Sequence, residues 1–354
     1  MTITFLIGNG FDLNLGLKTK YTDFLESYKE IESGDSAAIK YFKEKILQNH
    51  GLWANAEEAF GVATEQFHKD NFNAEDFCEC HEDFCNKLSE YLFNQEEKLN
   101  ISALTDNLKK GFGRGIQNYK EGFRDAEKEK IILAEKNFGG GFTYNFINFN
   151  YTNTVDSCVS TIKEQGILGK RVTTGQYNRV GQIMHVHGTL HRNMVLGVND
   201  LSQIVDPSLF DNYDEEYINE LIKQKTNEIN EENTDEKVNS LLSSSDLIYI
   251  YGMSTGITDK LWWERICLLM SKKKNLHLII HKFDAPEDGL IRRLYRLFVK
   301  NVRNDFLTYC NLEKDVKADI ESRIHIDNTN IFDGLQGLVH SSANTIIEKE
   351  MVAV

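Results

Sequence analysis

Proline is nearly missing from this chain: Pro207 and Pro286 are the two in 354 residues. That excludes a proline-rich or linker-dominated polypeptide, and with 11% aromatic residues and charge spread along the length the composition is that of an ordered globule. Long hydrophobic runs are missing as well. No stretch reaches the roughly 18 apolar residues a membrane-spanning helix needs, and the run before Gly8 is too short for a secretory signal. A cytoplasmic protein that contacts no membrane is expected. Positive charge is in deficit, with 40 Lys and Arg against 54 Asp and Glu and a formal net charge of -14. Nucleic-acid affinity depends on basic side chains neutralising phosphates, so a broad nucleic-acid surface is disfavoured, which leaves room only for a local basic groove. The 6 cysteines are unevenly spaced and form no disulfide framework, and a cytoplasmic setting would keep them reduced.

The one cysteine cluster, Cys78, Cys80, His81 and Cys85, invites a metal reading. Against it, Phe77, His81, Phe84, Leu88 and Leu92 recur at helical spacing, so the cysteines are expected inside a packed helix and no metal is expected.

What the chain does have is a set of strands that each end in a small or polar loop. Residues 2–7 are β-branched and apolar and stop at Gly8-Asn9-Gly10, the pattern of a buried strand entering a tight turn. Residues 21–136 are helical in rhythm almost throughout, which predicts a large helical insertion. Residues 142–151 form a second strand, followed by a helix over 152–163, and residues 183–186 and 194–198 predict short strands. Residues 205–243, most acidic over 211–239, predict a solvated helical surface insertion. A strand over 246–251, a helix over 261–271 and a strand over 276–281 complete the alternation. Strands alternating with helices predict one α/β domain over 1–354, a Rossmann-like, doubly wound, mostly parallel sheet whose ligand lies beyond the carboxyl ends of the strands.

Four loops occupy that place. Gly8-Asn9-Gly10-Phe11-Asp12 permits close backbone approach, and its free amides could take phosphate oxygens, although it lacks both the third glycine of the dinucleotide fingerprint and the Gly-Lys-Ser/Thr ending of a kinase-type loop. Asn148-Phe149-Asn150-Tyr151-Thr152-Asn153-Thr154 offers amides and hydroxyls to a ribose, and one of Thr152, Asn153 and Thr154 also suits a helix N-cap. In His185-Val186-His187-Gly188 the period of two puts both imidazoles on one strand face, with a proton carrier suited to neutral pH. Gly252 to Asp259 is a small-residue loop with room for more of a nucleotide, or a strand-to-helix turn capped by Thr258.

In order and along the whole chain, Gly-Asn-Gly-Phe-Asp, Phe-Asn-Tyr-Thr-Asn-Thr, His-Val-His-Gly and Tyr-Gly-Met-Ser-Thr-Gly-Ile-Thr-Asp resemble the bacteriophage abortive-infection AbiH family. Leu15-Gly16-Leu17 with Tyr21, Asp23 and Phe24 extends the likeness. That family in turn resembles the sirtuin fold distantly, which implies an NAD site built from Gly8 and Gly10, then Asn150, then His187. Two departures stand out: Thr152 occupies a position where sirtuins have Asp, and no paired CxxC zinc module follows His187. Protein deacylation is therefore not what the resemblance implies. It implies an effector that hydrolyses NAD to nicotinamide and ADP-ribose, with Asn150 and His187 catalytic. Gly8, Asn9, Gly10, Asp12, Thr152, Gly252, Ser254 and Gly256 would hold the nucleotide, and the glycine amides its diphosphate. The alternatives are a non-catalytic sensor of NAD or ADP-ribose, and a nuclease-type toxin. Because such an effector must stay silent in a healthy cell, a homo-oligomeric switch or a phage-sensing partner protein is expected.

Overall fold

The apolar opening of the chain becomes the centre of a sheet. The computed structural model describes residues 1–99, 107, 109–164, 168–229, 233–283 and 292–339. Six strands, β1 (Thr2–Ile7), β2 (Thr143–Asn148), β3 (Arg179–His185), β4 (Leu247–Tyr251), β5 (His277–His281) and β6 (Ile324–Asp327), form one sheet in the order β3-β2-β1-β4-β5-β6. Every pairing is parallel. Parallel sheets need both faces covered, and the alternation within β1 shows how: Ile3, Phe5 and Ile7 pack into one apolar cluster and Leu6 into another. The first cluster includes Val155, Cys158 and Ile162 of the helix Thr154–Glu164. The second includes Trp263, Ile266 and Met270 of the helix Lys260–Lys272.

Strand order reverses at β1, with β2 and β3 on one side and β4 to β6 on the other. In parallel sheets the connections on the two sides of such a point leave in opposite directions and open a crevice at the strand ends.

The residues predicted as one helical insertion divide. Helices Tyr21–Tyr28, Ala37–Gln48, Ala56–Lys69 and Ala74–Glu96 build a separate core around Phe42, Trp53, Phe60 and Phe84. Phe112, Ile116, Tyr119 and Ile131 instead pack on the sheet. Residues 100–106 and 108 of that stretch lie outside the described residues. The helix Ala74–Glu96 buries Phe77, Phe84, Leu88 and Leu92 as its spacing predicts, and His81 Nε2 lies 2.9 Å from the Leu196 carbonyl.

Several expectations need correction. The acidic stretch is not simply solvated: Leu209, Phe210, Leu221 and Ile222 enter the helical core and Val238, Leu241 and Leu242 the sheet core. Its residues 230–232 lie outside the described ones. Residues 194–198 form no strand: within them Val198 makes an isolated bridge, to Ile222. The helix Lys260–Lys272 is not capped by Thr258, since Asp259 holds the N-cap position. Nor are all the cysteines reduced: Cys267 and Cys310, 43 residues apart in sequence, form a disulfide. Helix Lys260–Lys272 and the turn after helix Arg292–Leu307 bury themselves in one apolar cluster, and that shared burial brings the two sulfurs together. None of the described helices is long and apolar enough to cross a membrane.

Candidate functional site at the strand ends

The loops after β1 and β4 close on each other. Gly8 N–H donates to the Tyr251 carbonyl at 2.9 Å and Gly10 N–H to the Gly252 carbonyl at 2.8 Å. A Cβ at Gly10 would come within 2.4 Å of Gly252 Cα, so the glycines are required by this backbone contact. The expectation that both amides hold a diphosphate therefore fails, because each already has a partner. Asn9 is similarly engaged: its amide donates to the Thr19 carbonyl at 2.9 Å, and its side-chain oxygen accepts from the Thr19 hydroxyl at 2.5 Å.

At the end of β2, Asn148 shapes the turn by accepting from Asn150 N–H at 3.0 Å. The next helix begins at Thr154, which leaves Asn153 at the cap position. Thr152 and Thr154 donate to the two carboxylate oxygens of Asp12, at 2.6 and 2.5 Å. Burial pushes the Asp12 carboxyl up to about 6, although those two hydroxyls pull the other way. Asn150 is buried, and its side-chain amide nitrogen has no hydrogen-bond partner.

The two histidines after β2 separate. β3 stops at His185, whose Nε2 lies 2.8 Å from Asp156 and whose Nδ1 lies 3.1 Å from the Asn150 carbonyl. His185 is thus fully engaged with structure, and the paired-imidazole face predicted from spacing does not form. His187 lies beyond the strand end, where Gly188, with φ of 70°, turns the chain so tightly that a Cβ would meet the Asn193 carbonyl at 1.8 Å. The His187 ring packs edge-on against Phe149. Its Nε2 is 3.4 Å from Asp259 Oδ1, and its buried Nδ1 has no partner.

Asp259 closes the loop after β4. Lys223 Nζ lies 3.9 Å from it and 2.9 Å from Glu57, giving a largely buried row Glu57, Lys223, Asp259, His187. Burial alone would push the Asp259 carboxyl up, but the Lys223 charge and the contact with His187 outweigh it and hold the group below its ordinary value.

These walls enclose a cavity of about 320 Å³. Gly8, Asn9, Asp12, Asn150, Thr152, His187, Gly252, Ser254 and Gly256 all line it, so of the residues named from sequence only Gly10 does not. Tyr21, Glu57, Leu88 and Leu92 of the helical layer form the opposite wall. Sequence reasoning missed Asp259, Lys223 and Glu57 as functional groups. Asp259 ends a motif already singled out and could have been found there. Lys223 and Glu57 sit in helical segments with nothing local to mark them. Two buried polar atoms without a hydrogen-bond or ion-pair partner, Asn150 Nδ2 and His187 Nδ1, belong to lining residues of this one cavity. Native interiors seldom leave such atoms unpaired, and a bound ligand would satisfy them. Among the described residues no group of three or more His, Cys, Asp or Glu side chains is arranged to hold a metal ion.

No curated protein and no solved structure matches the chain. The family model for bacteriophage abortive infection AbiH matches residues 4–281, through the glycine loop, Asn150, His187 and Asp259, and the chain belongs to the AbiH family.

Proposed function

We propose that this abortive-infection protein hydrolyses NAD, and that the cavity at the reversal of strand order is where it does so. The observation that carries the reading is the convergence of the unpaired Asn150 amide nitrogen and His187 Nδ1 on one cavity. The strand order supports it, since the sequence 3-2-1-4-5-6 is that of dinucleotide-binding sheets, which take their ligand at this crevice. The finer classification as Rossmann-like and distantly sirtuin-like rests on that order and on Asn150 and His187. At about 320 Å³ the cavity lies at the small end for ligand sites, so it would enclose the nicotinamide riboside end of NAD and leave the adenosine outside.

In the proposed reaction the bond between ribose C1′ and the nicotinamide nitrogen breaks, and nicotinamide leaves neutral with the electron pair. Water oxygen bonds to C1′, and the water's proton passes to His187 Nδ1 and then to solvent, leaving ADP-ribose. Asp259 faces the other imidazole nitrogen, which fixes Nδ1 as the acceptor and stabilises the imidazolium that forms. The Asn150 amide would orient the water or a ribose hydroxyl. Asp12, held by its two threonines, would form the wall against the ribose.

The test is nicotinamide release from NAD by purified protein, with and without extract from phage-infected cells. Release that is lost in both His187→Ala and Asn150→Ala is the expected result. NAD that binds but is never cleaved under either condition would replace the hydrolase by a nucleotide sensor.

A further inference from the structure

The sheet carries a second cavity, of about 480 Å³, at its β6 edge. It lies beyond the end of β6, at Ile326 and Asn328, between the start of helix Asp125–Lys136 and helix Arg292–Leu307. Its charge is opposite to that of the chain. Arg124, Arg296, Lys300 and Arg303 line it against two carboxylates, Glu127 and Glu321, in a protein whose formal net charge is -14.

Those carboxylates do not neutralise it. Glu127 is shared among Arg303, Lys130 and His325, each at 3.0 Å, and the His325 hydrogen bond and the Lys130 contact hold its carboxyl down at about 2 despite burial. It has little left to offer Arg296 or Lys300, which make no ion pair or hydrogen bond among the described residues. Among the described lining residues, Glu321 is the carboxylate that remains on the rim to oppose them. Beside the cations lie two aromatic rings, Phe123 and Tyr295, and the Arg124 guanidinium stands 4.8 Å over the Tyr295 ring. Cations take phosphate oxygens by charge-assisted hydrogen bonds, while rings and stacked guanidinium planes take a flat base.

We infer that this edge cavity is a second ligand site, separate from the strand-end cavity, and that it binds a small nucleotide with its phosphates on Arg296 and Lys300 and its base beside Phe123 and Tyr295. A free nucleotide is favoured over a nucleic-acid strand, since the surrounding net negative charge would repel an extended backbone. The site stands independently of the NAD-hydrolysis reading.

The test is calorimetric titration of the whole protein with ADP and with pyrophosphate. Ser254→Trp blocks the strand-end cavity and should leave ADP binding at the edge intact. The double variant Arg296→Ala/Lys300→Ala, at exposed positions and checked for an unchanged Tm, should weaken ADP binding by about tenfold or more. Pyrophosphate should bind more weakly than ADP, and raising salt should weaken both. Loss of all ADP binding in Ser254→Trp, or unchanged affinity in the double variant, would overturn the inference. Pyrophosphate binding as tightly as ADP would overturn its aromatic part.

Discussion

Two aspartates line the same cavity, Asp12 buried and Asp259 half-buried, and their surroundings push them in opposite directions. On the wall built from β1 and β2, Asp12 has two hydroxyl donors and no cation in contact, and burial raises its carboxyl to about 6. On the wall built from the β4 loop, Asp259 has Lys223 and His187 beside it and is held ionised below its ordinary value. A pair of carboxyls separated in this way divides the work of a site: the ionised one can orient and support a base, and the other, raised to about 6, can take up a proton in mildly acidic solution. The difference arises from what each wall is made of. Short hydroxyls capture Asp12 within the sheet layer, whereas Lys223 reaches Asp259 from the chain that packs with the helical core.

The largest expected effect comes from breaking the charged wall. Lys223→Met leaves Glu57 and Asp259 buried without their cation, which should cost about 3–5 kcal/mol of stability, measured by urea unfolding. A change under about 1 kcal/mol would show that water already solvates the row. The Asp12 wall should reveal itself through pH. Its folded pKa is raised, so its contribution to stability is full below the unfolded value of 3.8 and is lost as pH rises through about 6. That loss amounts to about 3 kcal/mol. Asp12→Asn should remove this part of the decline and leave the similar one from Asp327, whose burial also raises it to about 6. Thr154→Val removes one donor to Asp12, which should cost about 2 kcal/mol above pH 6 and move the decline to higher pH. The smallest effect is on turnover: Asp259→Asn keeps the shape but weakens the support of His187, and nicotinamide release should fall about tenfold with little change in KM.

The sheet was largely legible because its strands are short, apolar and punctuated. Thr2–Ile7 is the strand its residues predict, and Gly8 ends it where glycine must. β6 was not seen, since Ile324 to Asp327 is four residues long, too short for its apolar and polar alternation to stand out. The cavity lining was legible for a positional reason: in a parallel sheet every strand ends on the same side, so loops that follow strands converge whatever separates them in sequence. Partnership was not legible. That Gly8 and Gly10 amides bond to the β4 loop, that His185 turns to Asp156 while His187 turns to Asp259, and that Cys267 meets Cys310 all depend on packing between distant segments.

The most direct test of the strand-end cavity as the NAD site is titration of NAD into His187→Ala, which should bind without turning over, beside the same variant carrying Ser254→Trp to fill the cavity. Saturable NAD binding that disappears when Ser254 is replaced is the expected result. No binding to His187→Ala, or binding indifferent to the tryptophan, would contradict it.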